Sequence, residues 1–303
     1  MIIKKKFTFI KKESCPACGA KKFKFLGMRG GKFQREGRGE ETEIVQCVNC
    51  SLIFPNPFPM PDSLESLYGD PDEYFAGKGE WLVRSKSFEG IVKKFIDLID
   101  KSENIEILDI GAGRGEFNKA ALSFPEVNCT GLEVSDGSIA FAKEHGIVLE
   151  KKLLTELINE GKTYDGICLS AVIEHVHEPA AFISEVSLLL KKGGVIYIDC
   201  PNEPNLLTII GNGVNKLLGK KDIYNLQPTW EPYHVFGFNL KALSTLLKKN
   251  SIIIEESIIR GAPAIPYAHG FKDKIKVFIG IQVQRIANLV SLGSNMFVWG
   301  RKL

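Results

Sequence analysis

Between residues 105 and 200, short apolar runs alternate with stretches of helical period. The runs at 105–110, 128–133, 146–150, 164–169 and 194–199 have strand length, and this alternation predicts a parallel sheet covered by helices on both faces. Ahead of them, Phe88, Ile91, Val92, Phe95, Ile96 and Ile99 recur at three- and four-residue steps, which predicts an amphipathic helix over 85–100. A further helix is expected from Pro179, ending at Gly193–Gly194 behind two lysines. Past Pro201 the regularity breaks. Residues 203–219 read as helical, 220–237 as a loop carrying Trp230, Tyr233 and His234, and 239–250 as a helix with an Asn stop. Strands are expected at 251–261 and 295–303, with a helix at 271–290 whose apolar face is interrupted by Gln282.

The N-terminal part has a different texture. "CPACG" at 15–19 and "CVNCSLIFPNP" at 47–57 flank a Gly- and charge-rich middle, and a proline-rich connector follows that cannot sustain a helix or a central strand. The chain therefore divides into a module over 1–58, a linker with a short helix over 59–84, and a main domain over 85–303. Within that domain, about 201–237 is an insertion and about 271–290 an extra helix. Two C-x-x-C pairs have the spacing of thiolate knuckles closing a tetrahedral site, so Cys15, Cys18, Cys47 and Cys50 are the expected ligands of a structural Zn2+. The 28 residues between the pairs require longer strands or a loop. With few apolar residues to bury, the module is expected to unfold without metal.

Composition leaves a globular domain plus a small accessory one: 303 residues, 44% hydrophobic and 25% charged. No apolar run reaches the ~18 residues of a membrane span, and the basic start lacks a signal-peptide core, so a cytoplasmic protein is expected. The lone Cys129, Cys168 and Cys200 read as small buried hydrophobes. A net charge of +3 conceals an asymmetry, because residues 1–38 carry twelve Lys/Arg against two Asp/Glu. A basic module suits a phosphate-bearing partner.

The chemistry starts at "ILDIGAGRGEF", residues 107–117. Gly111, Gly113 and Gly115 let the backbone turn and approach a ligand closely at the end of the first strand, and the following helix aims its free N–H groups at the same crevice. Glu133, 22 residues beyond Gly111, ends the second strand, where a carboxylate can accept both ribose hydroxyls of an adenosine. A dinucleotide turn spaces its glycines G-x-G-x-x-G to cradle a pyrophosphate. Here the spacing is G-x-G-x-G behind Asp109, whose carboxylate repels phosphate and suits an ammonium. The local chemistry favours S-adenosylmethionine over a nicotinamide.

"ILDIGAGRGEF", "GLEVS", "YDGICLSAVIEHVHEPAAFISEVSLLLKKGGVIYIDCPN" and "EPYHVFGFNLKALSTLL" together resemble the successive motifs of class I S-adenosylmethionine-dependent methyltransferases. The resemblance spans about residues 85–303. It is strongest to the branch holding ubiquinone-pathway O-methyltransferases and bacterial sugar-tailoring enzymes. It implies an α/β fold, a seven-stranded Rossmann-like sheet with its last strand antiparallel. It also implies Asp109, Gly111 and Gly113 around the methionine moiety, Glu133 on the ribose, Val134 beside the adenine, and Ser170 and Ala171 on the methionine side. Many relatives carry an acid after strand three; this chain has Lys152, so backbone groups near Lys152 and Leu153 would have to replace it.

Methyl transfer from a sulfonium needs alignment and exclusion of water, and a hydroxyl acceptor gains from a base, most often histidine. His175 follows strand four at the sheet edge where ligands bind in open α/β folds, and His234 lies in the irregular segment with Trp230, Tyr233 and Phe236 as possible stacking surfaces. An Glu-His pair can equally serve only to anchor its loop, and His177 reads as peripheral. Glu174 with His175 and His177 lacks a fourth ligand for a metal. His145 reads as a surface helix cap, and His269 sits in a turn. Zinc-ribbon modules precede similar domains in sugar and surface-polysaccharide methyltransferases, which makes a small-molecule acceptor, a hydroxyl of a sugar or sugar-phosphate derivative, the leading expectation. The alternatives are an RNA methyltransferase gripping nucleic acid with its basic ribbon, and a non-catalytic scaffold. The 271–290 helix would be core or a homodimer interface.

Overall fold

The computed structural model describes residues 7–62, 81–261 and 271–303. The linker helix expected within 63–80 and His269 lie outside the described residues. β1 (Phe7–Ile10) pairs antiparallel with β5 (Phe58–Pro61), and β2 (Phe23–Arg29), β3 (Thr42–Cys47) and β4 (Ile53–Pro55) form an antiparallel sheet in that order. Two longer strands and the loop between them thus take up the wide spacing of the cysteine pairs.

α1 (Trp81–Leu98) leads into β6 (Ile105–Ile110), α2 (Glu116–Ala121), β7 (Val127–Leu132), α3 (Asp136–Glu144), β8 (Leu149–Glu150) and α4 (Leu154–Asn159). β9 (Tyr164–Ser170), α5 (Pro179–Leu189), β10 (Leu190–Pro201), α6 (Leu206–Leu217), α7 (Leu240–Lys248), β11 (Ile252–Arg260), α8 (Phe271–Leu289) and β12 (Asn295–Lys302) complete it. The seven-stranded sheet runs β11-β12-β10-β9-β6-β7-β8, and β12 is antiparallel to both neighbours, as the motif order implied. Alternate residues of one strand face opposite layers. Ile105 and Ile107 pack with Phe95 and Phe117 on one face, while Leu108 and Ile110 join the α5 and α7 side chains on the other. That double burial is why the strands read as apolar runs. No described helix is long and apolar enough to cross a membrane.

Three expectations shift. α5 stops at Leu189, and Lys191 to Gly194 enter β10 through a register shift, with Gly193 at φ 77°, instead of ending the helix. The strand expected from 146 shrinks to Leu149–Glu150, because Gly146 at φ 76° closes the α3 turn. α6 begins at Leu206, where the Asn205 side chain accepts the Thr208 N–H (3.1 Å) as its cap.

The N-terminal module also buries more than its sequence promised. Leu52, Phe54 and Phe58 are fully buried and continuous with the core of the main sheet. Phe54 and Phe58 bring their rings to 6.4 and 5.3 Å from Phe236. Its basic character is diluted: Lys32 pairs with Glu41 (3.0 Å) and Arg38 with Glu36 (2.8 Å), while Lys12 pairs with Glu178.

Candidate active site

The turn after β6 is built by close approach. Gly111, Gly113 and Gly115 have φ of 72°, 56° and 76°, a region that penalises a Cβ. A Cβ on Gly111 would stand 2.8 Å from Val172 Cγ2, so the turn lies directly against the loop leaving β9. The N–H groups of Gly111 and Ala112 both donate to Leu132 O (2.9 and 2.8 Å), which ties the end of β6 to the end of β7. Glu133 reinforces this tie: its carboxylate accepts the N–H of Gly113, Val134 and Ser135, each at 2.8 Å. The carboxylate expected on a ribose therefore holds the glycine turn in this state. Val134 and Leu153 are exposed beside it. The Leu153 N–H is taken by Glu156 (2.6 Å), and Lys152 pairs with Glu160 and Glu150.

Asp109 is 2% exposed at the end of β6. Asn118 donates to its Oδ2 (3.0 Å) and accepts the Gly131 N–H (3.1 Å). Burial pushes Asp109 up to about 8; the Cys168 thiol partly offsets this, and the charges of Glu116, Glu133 and Asp199 add to it. Glu116 and Asp199 are likewise raised, first by burial. Arg84 opposes the shift at Glu116 (3.8 Å), and the Ser170 and Tyr197 hydroxyls oppose it at Asp199. Ser170 ends β9, and Ala171, at φ 53°, donates its N–H to Asp199 O (3.0 Å). A cleft of about 540 Å³ adjoins Ser170 and Asp199; Arg84, Lys94 and Arg260 line it as well, and it does not include Asp109, the glycine turn or Glu133. Clustered carboxyls whose burial and mutual repulsion disfavour ionisation fit a ligand that brings positive charge. The ammonium and sulfonium of S-adenosylmethionine meet that requirement and a pyrophosphate does not.

A second cluster stands beyond β9. Val235 and Phe236 donate their N–H groups to Glu174 O (3.0 and 3.1 Å), which draws the irregular segment onto the β9 loop. As a result the His175 and His234 rings meet edge to face with centroids 4.9 Å apart, and His175 Nε2 is 3.9 Å from Glu174 Oε1. One ligand atom from each of Glu174, His175 and His234 lies within 4.8 Å of the others, so the three can offer a cation three donors. Glu174 is 1% exposed, and both its oxygens and His175 Nδ1 lack a hydrogen-bond partner among the described residues. Burial, joined by Asp199, raises Glu174 to about 8. Burial lowers His234 to about 4, and burial with the nearby His234 lowers His175 to about 3. At neutral pH both imidazoles are therefore uncharged.

The sequence grouped Glu174 with His175 and His177 and left His234 apart; the structure puts His234 in that group in place of His177. The available signal was an acid inside the apolar run "AVIEHV". His177 turns away, edge-on to Phe58 at 5.6 Å, and His145 stacks on Phe141 at 4.2 Å while contacting its carbonyl. The aromatic stacking surfaces are not free. Trp230, Tyr233 and Phe236 are buried, Trp230 beneath the Arg29 guanidinium (5.0 Å) and Phe236 against Phe54 and Phe58.

The four N-terminal cysteines converge. Sγ separations are 3.5 Å for both Cys15–Cys50 and Cys18–Cys47, and all four sulfurs lie within 4.8 Å. A tetrahedron with 2.3 Å Zn–S bonds spaces its sulfurs by about 3.8 Å, so the donor set fits zinc. The Cys50 contact lowers the Cys15 thiol, and the same contact with burial raises Cys50.

Among known proteins, the chain is 33% identical over 122 residues to a ubiquinone biosynthesis O-methyltransferase of Pelagibacter ubique, covering 38% of this chain and 50% of that one. It is 28% identical over 170 residues to the Hydrogenovibrio crunogenus protein of the same name, covering 54% and 68%. The first match thus spans about half the relative's length. A SAM dependent methyltransferase from Archaeoglobus fulgidus overlays with a TM-score of 0.49 at 18% identity, covering 76% of this chain and 97% of that one. Residues 84–250, more than half of the chain, match the methyltransferase domain family, and the protein belongs to that family.

Proposed function

We propose that the chain transfers a methyl group from S-adenosylmethionine to a hydroxyl of a small molecule, a sugar or sugar-phosphate derivative. The observation that carries this reading is the pairing of a glycine turn beside buried carboxyls with two neutral, touching imidazoles at the same sheet edge. The cofactor supplies an electrophilic methyl on a positively charged sulfur. Asp109 receives its ammonium, the 111–115 turn seats its methionine end, and Glu133 exchanges backbone N–H partners for ribose hydroxyls. The cofactor would supply the methyl group to the acceptor oxygen and leave as S-adenosylhomocysteine, while His234 or His175 would take the proton of the acceptor hydroxyl. Burial of the site excludes water and holds the imidazoles unprotonated.

Cys15, Cys18, Cys47 and Cys50 hold a structural Zn2+, which zinc analysis of purified protein should find at one per chain. The ion pairs scattered through the basic module favour a small anionic acceptor over a continuous RNA-binding face. The deciding experiment supplies methyl-labelled S-adenosylmethionine with nucleotide sugars, catechols and ribosomal RNA in separate reactions. Label in the sugar fraction, lost in the His175→Gln/His234→Gln double variant, supports the reading. Label in RNA alone overturns it.

A further inference from the structure

The N-terminal ribbon has no assigned task, and its sheet has two open edges. Both are occupied by the irregular segment that carries His234. At the β2 edge, Met28 N–H donates to Lys221 O (2.8 Å) and Ile223 N–H to Met28 O (3.1 Å). At the β4 edge, Ile53 and Gly237 exchange N–H···O bonds of 3.1 and 2.9 Å. Residues 221–237 therefore leave one side of the ribbon sheet and return on the other, so that a single sheet fixes both ends of the loop.

The middle of the loop is gripped as well. The Glu40 N–H donates to Thr229 Oγ1 (2.9 Å), and that hydroxyl donates back to Glu40 O (3.1 Å). Gly39, at φ 70°, comes so near that a Cβ would stand 2.5 Å from both Thr229 Oγ1 and Trp230 Cε3. Arg29, 7% exposed, donates from Nε to Leu226 O (2.9 Å) and covers the Trp230 ring. Burial lowers its pKa, and the charges of Glu203, Asp222 and Tyr224 offset this in part. His234 has Trp230 on one side and Gly237 on the other, each clamped by the ribbon.

We infer that the zinc ribbon is a positioning part of the acceptor site: with Arg29 as its central contact, it fixes the 221–237 segment and so sets where His234 stands. The inference rests on the acceptor site proposed above, and it separates acceptor-site order from cofactor binding. The glycine turn is held instead by Leu132, Glu133 and Val172, so the two functions should come apart on perturbation.

The test uses the full chain with zinc bound, the same chain after zinc extraction, and zinc-bound Arg29→Gln. Amide hydrogen exchange is read over 221–238 and over 105–135 as a control, and S-adenosylhomocysteine affinity is read by calorimetry. The expected result for Arg29→Gln is exchange more than fivefold faster over 221–238. The control should hold, with one zinc retained and S-adenosylhomocysteine affinity within threefold of the parent. Zinc extraction should produce the same pattern more strongly. Exchange over 221–238 within fivefold of the parent in Arg29→Gln overturns the inference, whatever extraction does. If extraction also abolishes S-adenosylhomocysteine binding, the chain has unfolded globally and Arg29→Gln alone decides. Failure of the parent to bind S-adenosylhomocysteine would instead refute the cofactor reading and leave the exchange comparison standing.

Discussion

Replacing Asp109 with asparagine removes a carboxyl that burial pushes up to about 8 while keeping its shape and its Asn118 neighbour. In the free protein, the ionised fraction of such a group is roughly 1% at pH 6, 10% at pH 7 and 50% at pH 8. If the cofactor ammonium binds only the ionised form, S-adenosylhomocysteine should bind about tenfold tighter at pH 7 than at pH 6, with close to one proton released. Above about pH 8 the gain tapers, because Asp109 is by then at least half ionised. A charge-assisted hydrogen bond contributes about 1.5–3 kcal/mol, and ionising Asp109 at pH 7 costs about 1.4 kcal/mol of it. Asp109→Asn should therefore weaken binding little at pH 6 and about tenfold at pH 8. Calorimetry at three pH values, in buffers of different ionisation enthalpy, measures both quantities. Parent affinity that is flat from pH 6 to 8, or a variant penalty independent of pH, would refute the pairing.

Three other perturbations follow from the same coordinates. Gly111→Ala adds a Cβ at φ 72° and 2.8 Å from Val172, and should lower stability by about 1–3 kcal/mol in urea unfolding; an unchanged midpoint would mean the turn relaxes freely. Phe54→Ala should cost about 3–5 kcal/mol, and a cycle with Phe236→Ala should reveal a coupling of about 0.5–1.5 kcal/mol; strict additivity would sink the shared core. Stability should also depend on pH with a definite sign. Asp109 and Glu174, raised to about 8, bind more protons folded than unfolded, so they lose stability as pH rises from about 4 to 8. His175 and His234, lowered to about 3 and 4, lose it as pH falls below 6.5. The four oppose one another below 6.5, and urea midpoints should be level near pH 5–6 and fall toward pH 8; a midpoint that rises toward pH 8 would contradict the burial argument.

The central sheet was legible because its strands are buried on both faces, so Ile105–Ile110 and Tyr164–Ser170 carry the signal in composition alone. The end of α5 was not, since "KKGG" suits a helix stop as well as a bulged strand entry and only pairing with β9 decides between them. Asp109, the glycines and Glu133 could be found from spacing. The partners of Glu133 could not, because backbone N–H groups leave no mark in a sequence. The union of Glu174, His175 and His234 depends on two N–H groups of a loop reaching a carbonyl some sixty residues away. The burial of the ribbon was missed for a similar reason: Leu52, Phe54 and Phe58 are few, but they complete a core begun elsewhere.

The loop that borders both flanks of the ribbon has a consequence for how the chain is made. Met28 leaves the ribosome long before Asp222, 194 residues later, and at 5–20 residues per second the delay is about 10–40 s. Throughout that interval a small sheet with two bare flanks is exposed to any neighbouring nascent chain that offers a strand. The four thiolates are all present once Cys50 has emerged. Early metal capture would keep the half-built sheet in register until its flanks are covered. Translation in zinc-starved extract should then yield more aggregate than adding chelator after synthesis is complete.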